Sequence, residues 1–233
     1  MEHNDYSYLD KNVEEIKNRI NAAKARAGRE DEIILMSAIK SAEVDEVHYI
    51  HEKLGVSDVG ENRVQQLLER WDKLDKNGLK MHFIGSLQTN KVKYIIDKVD
   101  LIHSLDSDRL AAEIDKQAKK IGIKARVLVE INSGSEESKG GIDAESAEEF
   151  CLSLGKYENI EICGFMTMAP RCEMKQDYYS YFNKTRTVAE KIWCDALKRD
   201  DKMILSMGMS ESFEEAIECG ANIVRVGRSM FAK

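Results

Sequence analysis

Residues 33–61 read IILMSAIKSAEVDEVHYIHEKLGVSDVGE, which places a short apolar run on each side of an amphipathic stretch. The first run, 33–40, has the length of a buried strand, and residues 44–55 repeat apolar side chains at helical spacing. The second run, 56–61, is again typical of a strand. A strand, a helix and a strand in this order predict two parallel strands that are joined by a helical crossover.

The same alternation continues along the rest of the chain. After a first helix over 9–27, which Gly28 ends, the pattern predicts eight strands, each followed by a helix except the last. The six further strands are predicted at 81–86, 99–106, 125–132, 160–168, 203–210 and 222–229. Eight such units in about 200 residues predict a (β/α)8 barrel of the TIM type. A doubly wound open sheet is the alternative, because strands that are apolar throughout do not report closure.

The composition limits the partners of this chain. Its 233 residues are 42% hydrophobic and 33% charged, with a formal net charge of -7, so we expect neither nucleic acid nor membrane as a partner. Residues 1–10 lack the features of a signal peptide, and no apolar run could span a bilayer, which predicts a cytoplasmic protein. Because nothing in the sequence resembles a linker, 1–233 is expected to form one domain, with 1–28 as a helix packed on the barrel.

The cysteines and histidines predict no metal site. The five cysteines are odd in number and scattered, without a C-x-x-C pair, which favours neither a disulfide framework nor zinc. His48 and His51 are three residues apart on a predicted helix, but no third ligand is spaced to complete a set. We therefore expect reduced cysteines and no bound metal.

The last two predicted strands end in loops that suit a phosphate group. In barrels of this kind, the site lies at the carboxyl ends of the strands, and loops seven and eight often hold phosphate. The seventh strand ends in SMGMS, 206–210, and the eighth in VRVGRS, 224–229. Gly208 and Gly227 allow the backbone to come close to a ligand, and serine hydroxyls lie beside them.

Each of these loops also allows a purely structural interpretation. A glycine after a strand is common in ordinary turns, although two such loops at strands seven and eight together favour a phosphate site. Ser212 and Glu215 fit an S-x-x-E capping box, which would begin the next helix just after the SMGMS loop. A capped helix needs no ligand.

Lys40 closes the first predicted strand. Because side chains alternate along a strand, the lysine shares a face with Ile34, Met36 and Ala38, which we expect to point into the barrel. Closure would place this strand beside the eighth, and Lys40 near Arg225. Burial and a neighbouring cation both favour a neutral amine, which is the form that attacks an aldehyde. The lysine could instead simply reach solvent, but pyridoxal 5′-phosphate, an aldehyde with a phosphate, would explain both the lysine and the loops.

At these residues the chain resembles the pyridoxal phosphate homeostasis protein family, whose fold is similar to the barrel domain of alanine racemase. The similarity extends over nearly the whole chain. The motifs that carry it are GENRVQ at 60–65, HFIGSLQTNKV at 82–92, SMGMS at 206–210 with FEEAI at 213–217, and VRVGRSMF at 224–231. ESKGG at 137–141 and GFMTM at 164–168 add support.

The resemblance implies roles for nine residues. It makes Lys40 the lysine that forms a Schiff base with pyridoxal 5′-phosphate and Arg225 the partner of the pyridine nitrogen. It places Ser206, Ser210, Gly227 and Arg228 around the phosphate, with the backbone amides binding at the last two. It also implies that Asn62, His82 and Met166 line the pocket. Four positions depart from the usual family pattern, namely Ile39, Ser41, Arg63 and Arg228.

As a function, the resemblance implies intracellular homeostasis of pyridoxal phosphate, by buffering or delivery and without robust catalysis. Apo-enzymes that depend on the cofactor are the candidate protein partners, and a monomer or weak dimer is expected.

Two enzymatic alternatives stay open. An amino-acid racemase of the alanine racemase type needs acid/base groups on both faces of its substrate. One of them, in that family, comes from a second domain, which we do not expect here because two residues follow Phe231. An arginine at the pyridine nitrogen also weakens the cofactor as an electron sink. A barrel enzyme that acts on another phosphorylated molecule would use the loops and leave Lys40 idle.

Overall fold

The computed structural model describes residues 5–134 and 140–233, in which eight parallel strands close into a barrel. The barrel strands are β1 Ile34–Ala38, β2 Asp58–Glu61, β3 Lys80–Phe83, β4 Leu101–Leu105, β5 Ala125–Asn132, β7 Ile160–Met166, β8 Ile204–Met209 and β9 Ile223–Val226. A short strand that the sequence pattern did not predict, β6 Ile142–Asp143, pairs with the end of β5. The predicted fold class is confirmed. Of the ESKGG motif, residues 137–139 lie outside the described residues.

Helices follow the strands and cover the outside of the barrel. They are α1 Ser7–Arg26, α2 Val44–Glu52, α3 Val64–Trp71, α4 Val92–Ile95, α5 Asp108–Ile121, α6 Ala147–Ser153, α7 Lys175–Lys191 and α8 Phe213–Glu218. The helix predicted over 89–98 is shorter than expected, because its first residues, Thr89–Lys91, form a 3-10 turn. In the part of the chain that the structure describes, every helix is too short or too polar to span a bilayer.

The barrel closes where β9 pairs with β1. The register runs from Ile34 opposite Ile223 to Ser37 opposite Val226, and β4 pairs with β5 on the other side. Because the pairings of β1 with β9 and of β4 with β5 complete a ring in which every barrel strand has a neighbour on each edge, the open-sheet alternative is wrong. The inner apolar cluster consists of Met36, Ile84, Leu101, Leu128, Cys163, Met166 and Ile223, with Ile34 and Ala38 packed against it. The predicted inward face of β1 is therefore confirmed.

The end of β8 differs from the prediction. Helix α8 does begin after Ser212, but the predicted capping box does not form. Ser212 Oγ instead accepts a hydrogen bond from the Met209 N–H at 3.3 Å. The strand is irregular between Ser206 and Met209, where Gly208 has a φ of +86° and lies against α8, so that a Cβ there would be 2.6 Å from that of Ala216. Only glycine adopts this conformation without strain.

Helix α1 packs against α8 and against the last residues of the chain. Arg19 and Arg26 form ion pairs with Glu214 at 2.6 and 3.1 Å. The Asn12 side-chain amide donates hydrogen bonds to the carbonyls of Met230, at 3.0 Å, and Ala232, at 2.8 Å. The first helix thus holds the segment that follows β9.

Replacing Asn12 with alanine tests this contact. We expect Asn12→Ala to lower the free energy of unfolding by about 1–2 kcal/mol, because two hydrogen bonds of about 1 kcal/mol each are lost. Urea denaturation measures the change. Asn18→Ala, on the exposed side of the same helix, is the control and should stay within about 0.5 kcal/mol of wild type. Equal losses in both variants would contradict a specific role for the Asn12 bonds.

Candidate functional site

A cavity of about 330 Å³ opens at the carboxyl ends of the barrel strands, and its size is within the range of small-molecule sites. Six of the nine residues predicted from the sequence line it, namely Lys40, Asn62, Ser210, Arg225, Gly227 and Arg228. The other three, Ser206, His82 and Met166, are buried deeper in the barrel. The structure thus separates the nine residues into a group at the cavity wall and a group beneath it.

Lys40 lies at the cavity but is exposed, where the sequence pattern predicted burial. The reason is that β1 ends at Ala38, and the alternation of side chains ends with it. Ile39 still donates its N–H to the Gly60 carbonyl at 3.0 Å and buries its side chain among the outer apolar residues. Lys40 and Ser41 then form a turn above the barrel, which leaves the lysine amine open to solvent.

An ion pair beneath this turn fixes the backbone on both sides of the cavity. The guanidinium of Arg70, on α3, bonds to the carboxylate of Glu61 at 2.8 Å and also to the Ile39 carbonyl. Glu61 is fully buried, and its other oxygen accepts a hydrogen bond from the Asn62 N–H at 3.2 Å. Burial raises the pKa of Glu61, and the charge of Arg70 opposes the rise. Arg70 therefore links the residue before Lys40 to the strand that presents Asn62.

The loops after β8 and β9 meet at one wall of the cavity. The Ser229 N–H donates to Ser210 Oγ at 3.4 Å, which joins the two loops. Ser229 Oγ is buried and has no hydrogen-bond partner in the described residues. A Cβ on Gly227 would lie 2.8 Å from the Ala38 carbonyl oxygen, so glycine lets β9 lie close against β1. A buried hydroxyl without a partner is unfavourable, and Ser229 directly follows Arg228, which lines the cavity.

The charges around the cavity also favour an anion. Among the described lining residues, Lys40, Arg171, Arg225 and Arg228 are cationic and Glu211 is anionic. Glu211 accepts a hydrogen bond from Arg228 at 2.5 Å and lies 3.9 Å from Arg171. The Arg228 side chain is 79% exposed, so this pair is at the cavity rim. Glu211 therefore pairs with the Arg228 side chain, whereas the resemblance assigned the backbone amide of Arg228 to the phosphate.

Arg225 forms the floor of the cavity. Its guanidinium donates to the Ser206 carbonyl at 2.7 Å, to Ser206 Oγ at 2.6 Å and to the Thr167 carbonyl at 2.9 Å. Burial lowers the pKa of Arg225 to about 10, and the nearby Glu130 opposes the change. The side chain is thus a buried cation at neutral pH. Ser206 contacts this cation and not the cavity.

Two histidines inside the barrel, whose rings meet edge to face, continue the contacts from Ser206. Ser206 Oγ lies 3.0 Å from His103 Nδ1, and His103 Nε2 lies 3.0 Å from His82 Nδ1. Burial, together with the neighbouring His82 and Arg225, holds the pKa of His103 well below its usual range. The sequence interpretation did not single out His103, although its position two residues after the inner residue Leu101 places it on the inward face of β4.

A buried carboxylate, Glu130, lies on the other side of the barrel mouth. Burial raises the pKa of Glu130 to about 7, and the neighbouring Asp106 adds to the rise. The position of a Cβ on Gly140 would be 3.6 Å from Asp106 Oδ2 and 3.7 Å from Glu130 Oε2, so both carboxyls border the same loop. The sequence pattern did not reveal this pair, because a single glutamate in a strand usually faces solvent.

Comparison with known proteins assigns the family. The sequence model of one protein family, the alanine racemase N-terminal domain, matches residues 11–233. The chain belongs to this family. A protein named pyridoxal phosphate homeostasis protein from Aquifex aeolicus (strain VF5) is 42% identical over 219 residues, which cover 92% of this chain and 93% of that protein. The resemblance predicted from the sequence motifs is confirmed.

Two solved structures have the same architecture. A protein of Bifidobacterium adolescentis, described as unknown, is 31% identical with a TM-score of 0.89, covering 97% of this chain and 95% of its own. PipY of Synechococcus elongatus PCC7942, solved with PLP bound, is 26% identical with a TM-score of 0.75, covering 92% of this chain and 99% of its own. These structures agree with the barrel described above.

The raised pKa of Glu130 predicts a stability that depends on pH. The carboxyl titrates near 7 in the folded protein and near 4.5 when free, so the folded state binds more protons between these values. The contribution of this group is fully present below about pH 4.5 and lost as the pH rises through 7, a decrease of about 3 kcal/mol. Urea denaturation across this range measures it.

Two glutamine variants separate this effect from the rest of the titration. Glu130→Gln should remove the decrease, since an amide does not ionise, whereas Glu149→Gln, at an exposed position on α6, should keep the wild-type profile. A Glu130→Gln protein with the wild-type pH profile would contradict the assignment.

Proposed function

We propose that this protein binds pyridoxal 5′-phosphate as a Schiff base on Lys40 and takes part in cytoplasmic homeostasis of the cofactor. It would buffer or deliver the cofactor without robust catalysis of its own, with the chain 1–233 as one cofactor-binding domain. The observation that supports the ligand most directly is a cavity that contains a lysine amine and a buried guanidinium, with the unsatisfied buried hydroxyl of Ser229 one residue after the lining residue Arg228. The name of the Aquifex relative and the PLP bound to PipY also support it.

The wall between β8 and β9 suits the phosphate group. Ser229 Oγ needs a partner, and Ser210 lies beside it. The backbone N–H groups of Gly227 and Arg228 appear in none of the described hydrogen bonds, so they are available for the phosphate oxygens. We assign the phosphate contacts to Ser210, Ser229 and the backbone at 227–228. Ser206 would act through Arg225, because its hydroxyl lies 2.6 Å from the guanidinium.

Arg225 suits the pyridine nitrogen of the cofactor. With a pKa of about 10, its guanidinium stays protonated at neutral pH and offers only donors. A donor that keeps its proton leaves the ring nitrogen unprotonated, which limits the electron withdrawal that amino-acid chemistry needs. Arg225 therefore favours a binding role over catalysis. Asn62 at the wall, with His82 and Met166 beneath it, would support the ring from its surroundings.

Lys40 supplies the covalent link. When bound, the cofactor supplies an aldehyde; the Lys40 Nζ lone pair forms a C=N bond to its carbon, and the aldehyde oxygen leaves as water with the two amine protons. Because Lys40 is exposed, water can reach this bond and reverse it. A link that opens readily to solvent suits a protein that takes up and releases the cofactor.

Absorbance tests the covalent link. The purified protein is expected to show a visible Schiff-base band with pyridoxal phosphate, and Lys40→Ala should abolish it, because alanine has no amine. Lys53→Ala, which removes an exposed lysine just after α2, is the matched control and should keep the band. A wild-type protein that gains no band, or a band that survives Lys40→Ala, would overturn the proposal. Racemisation of amino acids at ordinary enzyme rates would favour the racemase alternative.

Glu211 gives a second prediction. Because the Glu211 carboxylate pairs with the Arg228 guanidinium, it competes with a phosphate group for this cation at the same wall. Glu211→Gln is expected to raise the affinity for pyridoxal phosphate and for inorganic phosphate by up to about fivefold, the size of an exposed ion pair. The gain should shrink at high salt, which screens surface charges. Calorimetric titration measures both affinities, and Glu69→Gln, at an exposed site on α3, is the control. Weaker phosphate binding by Glu211→Gln would contradict competition for Arg228.

A further inference from the structure

A continuous row of hydrogen bonds crosses the inside of the barrel from the cavity to its opposite end. Arg225 Nη1 lies 2.6 Å from Ser206 Oγ, and three further contacts of 3.0 Å follow, from Ser206 to His103, from His103 to His82, and from His82 Nε2 to Asp58 Oδ1. The first four side chains are at most 5% exposed. Asp58 lies at the start of β2 and lines a second cavity at the amino ends of the strands.

The donors and acceptors in this row have one consistent direction. Arg225 can only donate, so Ser206 Oγ accepts from it and donates its own O–H to His103 Nδ1. A neutral His103 then carries its proton on Nε2 and donates to His82 Nδ1. His82 in turn donates from Nε2 to the Asp58 carboxylate. Every bond thus points from the buried cation to the carboxylate.

The direction matters because Arg225 has no close carboxylate of its own. The described hydrogen bonds of its guanidinium go to two carbonyls and one hydroxyl, and none goes to an anion. Glu130, the acidic group that acts on it electrostatically, has a pKa of about 7 and is only partly ionised at neutral pH. A buried cation needs compensation, and aligned neutral dipoles that end on a carboxylate supply it.

The same bonds decide which donors remain for a ligand. Arginine has five N–H groups, and three of them are used by Ser206 and Thr167 in the described residues. The Nε–H and one Nη2–H remain, on a side chain that lines the cavity. Fixing the guanidinium from below therefore sets where these donors point.

We propose that His82 and His103 are positioning residues. They orient Arg225 and link it to the Asp58 carboxylate through this one-directional row, whose aligned dipoles compensate the buried charge. The proposal rests on the proposed function for the identity of the ligand that Arg225 meets. Neither histidine touches the cavity, so each acts through Ser206.

Two ligands that differ only in the ring nitrogen test this role. The probes are pyridoxal phosphate and its 1-deaza analogue, in which carbon replaces the nitrogen. Wild type should prefer pyridoxal phosphate, and His103→Leu should reduce that preference by about tenfold, the size of a charge-assisted hydrogen bond. His103→Gln keeps one acceptor and one donor and should restore most of it. Affinity for inorganic phosphate should stay unchanged in both variants, since the phosphate wall is intact.

A merely structural histidine would give a different result. It would lower the unfolding temperature of His103→Leu while the ratio of the two affinities stayed at the wild-type value, and that result would overturn the proposal. Equal ratios in the leucine and glutamine variants would overturn it as well.

Nitrogen NMR of the wild-type imidazoles tests the row without any substitution. Both His82 and His103 are expected to be neutral with the proton on Nε2. A proton on Nδ1 of His103, or a cationic His103, would overturn the proposed direction. If wild type did not bind pyridoxal phosphate at all, the proposed function would fail, while these spectra would still decide whether the row has the stated direction.

Discussion

Four consecutive residue pairs between β1 and β9, from Ile34–Ile223 to Ser37–Val226, close the parallel sheet into a barrel. This register places Met36 opposite Arg225, so the inward face of β1 that leads to Lys40 lies beside the buried guanidinium. It also requires glycine at 227, since a Cβ there would meet the Ala38 carbonyl at 2.8 Å. Both the inner core and the cavity depend on this pairing of β1 with β9, the seam of the barrel.

The cavity combines a fixed part with an accessible part. Arg225 is held by backbone carbonyls and Ser206 in the barrel interior, where leaving polar groups unpaired is costly. Lys40 is held differently, because Arg70 bonds to the carbonyl before it and leaves the side chain in solvent. The structure thus separates the group that would orient a ligand from the group that would react with it. Under the proposed function, such a division suits reversible capture better than turnover.

The sequence was sufficient for the architecture because strands and helices alternate with clear periods. The sequence-based prediction was wrong at individual residues where the regular spacing of apolar side chains ends. Ile39 is apolar and extends the run of β1, so the turn that exposes Lys40 has no signal in the pattern. The SMGMS loop contains a similar end of the regular strand. Because β8 is irregular around Gly208, Ser206 lies deep in the barrel while Ser210 lies at the cavity. Residues that are adjacent in a motif therefore have different surroundings.

Polar residues inside the barrel were harder to predict than apolar ones. His103 and Glu130 lie on strands, where a pattern of alternating polarity assigns charged or polar groups to the outside. Their burial depends on partners far away in sequence, such as Ser206 for His103. Only the three-dimensional pairing of strands brings those partners together, so no local window contains the information.

The seam between the first and last barrel strands also governs when the cavity can exist. Contacts between residues distant in sequence form late, because the chain must lose much entropy before they are made. Lys40 and Arg225 are near opposite ends of the barrel sequence, and Asn12 holds the segment after β9. A chain still being synthesised has every early strand but no cavity until β9 has emerged. Ligand capture at this site would therefore mark the completion of folding.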